Sequence, residues 1–329
     1  VGAVMGEMDE NSGAGDFARF LKGYHIVGRH SAVKSCLWLK KALRGEGHCY
    51  KSKFYGIASH RCIQMTPSIF CNQRCVHCWR PLEILSVRDD EISDKWEWDS
   101  PSYIVEGCIS EQLNLISGYK GYAKTSSKMF EESSSPAHAA ISLIGEPTLY
   151  PYLDELIEEF HRRGFTTFVV TNGTHPDVLA KIKPTQLYLS LNAPDEEIYQ
   201  KISHATHWHR ILSSLDVMRN KKSVRTVVRI TCIRGFNMIY AAKYAELLTI
   251  AKPDFIEVKA YMHLGFSRRR LRRDAMPSHH EVRDFAWKIV RELREIGESY
   301  DITDESEISR VVLISSGRTD HNIQTPSGK

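Results

Sequence analysis

The chain has 329 residues, a formal net charge of +4, 42% hydrophobic and 26% charged residues, the proportions of an ordinary soluble globular protein. No apolar run approaches the roughly 20 residues a membrane helix needs, and the first 16 residues lack the apolar core of a secretion signal. So small a net charge excludes a uniformly basic coat, and any nucleic-acid surface must be a local patch. The expectation is a cytoplasmic protein with reduced thiols, large enough for one barrel with an appendage or for two medium domains. A start at Val1 leaves open whether residues precede it.

In chain order, residues 1–23 read as a poorly ordered terminus with helical character around 17–21. From 29 to 61 there are eight Lys and Arg against a single acid, Glu46. Cys36, Cys49 and Cys62 fall in or just after this stretch, each thirteen residues from the next. Residues 37–43 read as a short helix, and Gly45/Gly47 as a turn. From 61 onward strand and helix alternate. Apolar strands are expected at 62–69, 138–144, 166–170, 186–191, 225–233 and 255–260, with a last one at 308–315. Helices are expected at 102–117, 151–163, 176–182, 195–202, 208–219, 239–250 and 279–296. The helix at 102–117 carries the stripe Val105, Cys108/Ile109, Gln112/Leu113, Ile116. That at 279–296 carries Val282, Phe285/Ala286, Ile289/Val290, Leu293, Ile296. Residues 87–100 read as a polar surface excursion and 119–136 as a mobile loop. Such alternation implies a parallel sheet with right-handed crossovers. Six strands of this kind suggest an α/β fold, an incomplete (β/α)6 barrel with its chemistry at the C-terminal strand ends. The expected division is 1–23 terminus, 24–62 basic extension, 63–316 barrel and 317–329 tail.

The first barrel strand leads into Cys71-Asn72-Gln73-Arg74-Cys75-Val76-His77-Cys78, three cysteines at C-x3-C-x2-C spacing. Three thiolates are one short of a closed tetrahedral zinc site or a fully ligated [4Fe–4S] cluster. A cubane held by three cysteines keeps one iron open to chelate the amine and carboxylate of S-adenosylmethionine. One electron into the sulfonium then yields methionine and a 5′-deoxyadenosyl radical, chemistry that belongs to the cofactor. The stretch resembles the signature of the radical SAM superfamily. A zinc knuckle and three unrelated core cysteines are the plain alternatives. Zinc sites usually add a second C-x2-C pair or two spaced histidines, and Cys75/Cys78 has no second pair. Cys36, Cys49 and Cys62 read as a second cluster, also with an open iron, against a chance spacing. Cys108 and Cys232 stand alone and read as small buried hydrophobes.

The second strand ends Leu143-Ile144-Gly145-Glu146-Pro147, where glycine admits a close approach and proline stiffens the exit. In radical SAM enzymes a Gly-Glu stretch here binds the methionyl amine, although Ile144 stands where a first glycine is usual. An ordinary βα turn is the alternative. Asn172, Ser190 and Asn192 end the third and fourth strands and suit a ribose or a carboxylate; Asn172 and Thr174 serve equally well as helix caps. Glu257 and Lys259 share one face of the sixth strand, lining the barrel mouth or forming an ion pair. His77 holds a position that is often aromatic in the superfamily, where it packs near adenine. Lys51, two residues after Cys49, suits either a Schiff base with a keto acid or a phosphate contact. Arg268, Arg269, Arg270, Arg272 and Arg273 put five arginines into six residues. Such a run reads as phosphate contacts or as a solvated loop. If this run and the basic zone at 29–61 both flank the cluster mouth, they form a groove suited to a folded RNA, where Trp38, Tyr50, Phe54, Tyr55 and Trp79 could hold an unstacked base.

The run from Cys49 to Ile57, then Ser59-His60-Arg61-Cys62, Thr66-Pro67-Ser68 and Cys71 to Pro81, resembles the 4-demethylwyosine synthase family of the wybutosine pathway. Residues 142–147 and 255–259 match its pattern too, so the resemblance spans roughly residues 23 to 315. No flavodoxin-like stretch precedes residue 30, as in the single-domain archaeal type. The resemblance implies that N1-methylguanosine beside the anticodon of phenylalanine tRNA is the substrate and pyruvate the carbon donor. Cys71, Cys75 and Cys78 would hold the SAM cluster, and Cys36, Cys49 and Cys62 the second one. Lys51 matches a lysine proposed to form a Schiff base with pyruvate. It further implies a monomer served by a separate donor such as a flavodoxin or ferredoxin. Two rivals remain at this level: a radical SAM enzyme acting on a peptide or small molecule, and a non-catalytic zinc protein that binds RNA.

Overall fold

A computed structural model describes residues 21–88, 91 and 96–323. The expected helical character at 17–20 and parts of the 87–100 excursion lie outside them. The described chain forms two compact units. One reaches Asn72 and resumes over Pro81–Val169, with Asn322 onward; the other holds Gln73–Arg80 and Val170–His321.

In the first unit β1 (His25–Val27) and β2 (Ser31–Val33) form an antiparallel hairpin. β2 runs antiparallel to β3 (Cys62–Thr66), and β3 parallel to β4 (His138–Ile141). β4 in turn lies parallel to β5 (Thr166–Thr171), the strand in which one unit gives way to the other. The two strands of the hairpin were not expected: each is three residues long, too short for a period of two to show. β3 ends at Thr66 rather than at 69 because Pro67 offers no N–H and the Thr66 hydroxyl donates to the Ser68 carbonyl at 2.7 Å.

In the second unit β6 (Gln186–Ser190), β7 (Arg225–Cys232) and β8 (Phe255–Ala260) are parallel, as expected. β10 (Val311–Ser315) runs antiparallel to β8 and to β9 (Asp301–Ser306), with a bulge at Leu313/Ile314. β9 is mostly polar and escaped the sequence reading. β10 is buried throughout and starts three residues later than expected, since Ile308 is exposed. Neither run of strands closes on itself.

The helices follow their local signals. Ser278 and Glu281 form a capping box at the start of His279–Glu295. That helix buries Val282, Phe285, Ala286, Ile289, Val290 and Leu293, while Ile296 falls past its end, half exposed. Ser100 caps Pro101–Ser117, which buries Ile104 beside the expected Val105, Cys108, Gln112 and Ile116. Two helices correct the sequence reading. Ser127–Ser133, capped by Ser126, lies within the expected loop. Tyr50–Tyr55 buries Tyr50, Phe54 and Tyr55. Among the described residues no helix is long and apolar enough to cross a membrane.

Glu257, fully buried on β8, pairs with Arg229 of β7 at 2.8 Å. Replacing Arg229 by Met strands a buried carboxylate. Denaturant melts of the metal-free protein should show a loss of about 3–5 kcal/mol, and adding Glu257→Leu should restore most of it. Equal melts for the single variant and the parent would contradict a structural pair.

Candidate active site

All eight cysteines are thiols; six are half-buried, and Cys108 and Cys232 are buried. Cys71 follows β3 and is tied at both backbone groups. Its N–H donates to the Leu85 carbonyl at 2.9 Å, and its carbonyl accepts from Val87 at 3.0 Å. Gly145 has φ +72°, and a Cβ there would run into the carbonyl oxygens of Ser68 and Phe70. The Glu146 N–H donates to the Phe70 carbonyl at 2.7 Å. Glycine is thus required where the second strand end packs on the approach to Cys71. The buried Glu146 carboxylate accepts from the N–H and hydroxyl of Thr148, at 3.1 and 2.7 Å.

That approach is braced by residues the sequence reading treated as surface. His30 Nδ1 pairs with the Pro67 carbonyl at 2.6 Å, and Asp99 N–H donates to His30 Nε2 at 2.9 Å. An accepting Nε2 leaves the proton on Nδ1, so the ring is neutral; burial, foremost, lowers its pKa. Trp98 packs edge-on to His30, and Trp96 to Phe70.

In the second unit the rest of the cysteine loop leans on the end of helix Glu196–Ser203. The last carbonyls of a helix lack partners within it. Here Ile202 and Ser203 receive the N–H groups of Val76 and Arg74, at 2.8 and 2.9 Å. Gln73 donates to the Tyr199 hydroxyl at 2.7 Å, and its amide oxygen accepts from the Cys75 thiol at 3.2 Å. His77 is half-buried, and its Nδ1 finds no hydrogen-bond partner among the described residues. Burial, and then the Arg270 charge, hold it at about 4. Asn172 Oδ1 accepts from Thr174, and Asn192 Oδ1 from the Thr231 N–H at 3.0 Å. The first secures its own turn, and the second ties the end of β6 to β7. Ser190, half-buried, ends β6 opposite Arg229.

Cys36 and Cys49 precede helices Leu37–Leu43 and Tyr50–Tyr55 as N-caps without capping through their side chains, and Cys62 opens β3. Burial pushes the Cys62 thiol up to about 12; Lys51 opposes that rise, and Cys36 and Cys49 add to it. Cys36, Cys49 and Lys51 are thus each within electrostatic reach of Cys62. Lys51 Nζ lies 4.6 Å from the centre of the Phe168 ring. Among the described residues no three His, Cys, Asp or Glu side chains converge as ligands of one metal ion would. A cubane is a different target, because its thiolates bind separate irons. Cys62, with two further thiols in electrostatic reach, fits such a cation-rich group.

One residue near this set was missed. His138 is fully buried and pairs in register with Cys62. Its Nδ1 bonds Thr166 Oγ1 at 2.6 Å, while Nε2 has no partner among the described residues. Burial, then Arg61, His60 and Lys51, hold it at about 4. A histidine opening an apolar strand was the available signal. The aromatic expectation is corrected: Phe54 and Tyr55 are fully buried and cannot hold a base, whereas Trp79 is 38% exposed. Of the arginines, Arg268, Arg269, Arg272 and Arg273 are exposed and Arg270 is half-buried.

The pattern of the radical SAM superfamily matches residues 65–248, and that described as wyosine base formation matches 250–316. The S-adenosyl-L-methionine-dependent tRNA 4-demethylwyosine synthase of Pyrococcus horikoshii is 51% identical over 88% of this chain and 85% of its own length. The chain belongs to the 4-demethylwyosine synthase family. The enzyme of that name from Methanocaldococcus jannaschii is 46% identical over 88% of this chain and 92% of its own. A solved structure of TYW1 with a lysine–pyruvate adduct bound is 42% identical, with a TM-score of 0.81, over 94% of this chain and 97% of that one. The fold is accordingly the partial radical SAM barrel that the strand–helix alternation led us to expect. For this synthase-family chain, Cys36, Cys49, Lys51 and Cys62 lie ahead of both matched patterns.

The thiols make a direct test. When folded, metal-free protein is alkylated near neutral pH, Cys108 and Cys232, both buried with raised pKa values, should stay unmodified, and Cys62 should react more slowly than Cys36 and Cys49. Peptide mass mapping reads the outcome, and early labelling of Cys108 would contradict the burial. Separately, Gly145→Ala should cost about 2–3 kcal/mol in a denaturant melt; a neutral result would show that the glycine turn is dispensable.

Proposed function

We propose that this protein converts N1-methylguanosine, next to the anticodon of phenylalanine tRNA, into tricyclic 4-demethylwyosine, with pyruvate as the source of the added carbons. The observation that carries the reading is that Lys51, Cys36 and Cys49 all lie within electrostatic reach of the Cys62 thiol, in a chain 42% identical to a protein solved with a lysine–pyruvate adduct. Cys71, Cys75 and Cys78 hold one [4Fe–4S] cluster, and Cys36, Cys49 and Cys62 hold the second. The SAM-bearing cluster supplies, when loaded, an electron to the sulfonium and hence a 5′-deoxyadenosyl radical.

The chain's own side chains do the rest. Lys51 Nζ attacks the pyruvate ketone and loses water, so that the keto acid is held as an imine. Gly145 lets backbone approach SAM closely, and Glu146 accepts from the methionyl amine. His77 stacks near the adenine, while Asn172, Ser190 and Asn192 offer hydroxyl and amide groups to the ribose and carboxylate. Arg268, Arg269, Arg272 and Arg273 meet tRNA phosphates as exposed cations. Electrons come from a separate donor such as a flavodoxin or ferredoxin, and the enzyme works as a cytoplasmic monomer.

The decisive experiment is mass analysis of tRNA nucleosides after anaerobic incubation with methylated tRNA, pyruvate and SAM. Reconstituted protein should carry about eight iron and eight sulfide per chain and yield the tricyclic base. Cys75→Ala should abolish SAM cleavage. Cys49→Ala should keep uncoupled SAM cleavage yet make no tricyclic base. Borohydride should fix pyruvate on Lys51 in the parent and leave Lys51→Arg unmodified. Tricyclic base from the Cys49 variant would remove the second cluster from the reading.

A further inference from the structure

Arg270 stands apart from its four arginine neighbours. Arg268 donates to the His263 carbonyl at 3.1 Å, Arg269 lies over Phe266, and Arg272 faces Asp274 at 3.3 Å, all near the surface. The Arg270 guanidinium turns to the cysteine loop instead. It donates from Nε to the Val76 carbonyl at 3.3 Å, and from Nη2 to the carbonyls of Arg80, at 3.4 Å, and of Cys78. The Phe266 N–H takes the Trp79 carbonyl at 3.0 Å. Gly265, at φ +52°, has room only for hydrogen where a Cβ would meet that same carbonyl.

Four carbonyls between residues 76 and 80 are thus taken up by the segment 265–270. A loop without regular secondary structure must place its peptide groups somewhere, and this one gives N–H groups to helix Glu196–Ser203 and C=O groups to Arg270 and Phe266. The segment is itself fixed. Tyr261 donates to Ser267 at 2.9 Å, Ser267 donates to the Leu264 carbonyl at 2.6 Å, and Val76 packs on a cluster that includes Tyr261 and Leu271. A planar guanidinium reaches these three acceptors with donors in fixed, spread directions, a geometry that a compact ammonium on a flexible stem matches less well.

We infer that Arg270 is a positioning residue for the SAM cluster and not an RNA contact. It pins the half of the loop that carries Cys75 and Cys78, and its fixed positive charge favours the more negative, reduced state of the cluster. This rests on the radical SAM reading of the loop given above. RNA is left to the four exposed arginines.

The test uses reconstituted full-length protein, with Arg270→Gln, Arg270→Lys and an Arg268→Ala/Arg272→Ala double variant. The SAM cluster is singled out as the one whose EPR signal changes when SAM is added. Arg270→Gln should release that cluster to a chelator about 10- to 100-fold faster than the parent, the usual cost of removing a supporting contact. Its midpoint potential should fall, Arg270→Lys should lie between, and tRNA retention should hold. The double variant should show the reverse: a normal cluster and weakened tRNA retention. If Arg270→Gln does not fold, Arg270→Lys carries the same comparison. Either variant keeping its cluster and potential while losing tRNA as the double variant does would overturn the assignment. Parent protein with no SAM-responsive cluster would bring down the radical SAM reading itself, whatever Arg270 does.

Discussion

Strand β3 is the ruler on which both cysteine sets are laid out. Cys62 opens it, and Cys71 follows five residues past its end. A buried strand between two hydrogen-bonded neighbours has one register, because a slip of one residue would exchange its two faces. β2 and β4 supply those neighbours, Ala32 opposite Thr66 and Cys62 opposite His138. Once β3 is fixed, Cys62 is presented toward Cys36, Cys49 and Lys51. The chain beyond Thr66 must then reach Cys71 along a path set by Pro67, His30 and Gly145.

That path is over-determined, as a loop with little regular structure must be if it is to hold one conformation. His30 holds the Pro67 carbonyl, the backbone at Gly145 fills the space beside Ser68 and Phe70, and Trp96 leans on Phe70. In the second unit the loop residues Arg74, Val76 and Cys78 are held through peptide groups, with their side chains left for other duties. The loop has little secondary structure of its own, and its order is supplied by partners distant in sequence.

The distribution of that order explains what could be read from the sequence. The parallel strands announce themselves as apolar runs, and the capped helices by Ser100, Ser278 and their stripes, since these signals are local. Cysteine spacing is also local, so both groups of cysteines, and Lys51 beside one of them, stand out as candidates in the sequence. Contacts between distant residues were not legible. Nothing near Arg270 in sequence says that its guanidinium serves Val76 and Cys78 while Arg272 stays in solvent. His138 looks like any residue opening an apolar strand until its register beside Cys62 is known. The hairpin of β1 and β2, and the polar β9, are too short or too hydrophilic to carry a period.

The cysteines show why burial alone does not make a site. Burial raises the pKa of Cys62, Cys108 and Cys232 alike. For Cys108 the other contributor is Glu111, which adds to the rise, and for Cys232 it is a hydrogen bond with Lys259. Both can stay as neutral thiols indefinitely and serve as small apolar side chains. Cys62 differs in its company: two further thiols push its pKa up and a lysine ammonium pulls it down. Two further thiols within electrostatic reach thus give Cys62 a grouping that Cys108 and Cys232 lack. Grouping, rather than the pKa of any one thiol, sets Cys62 apart from the core cysteines Cys108 and Cys232.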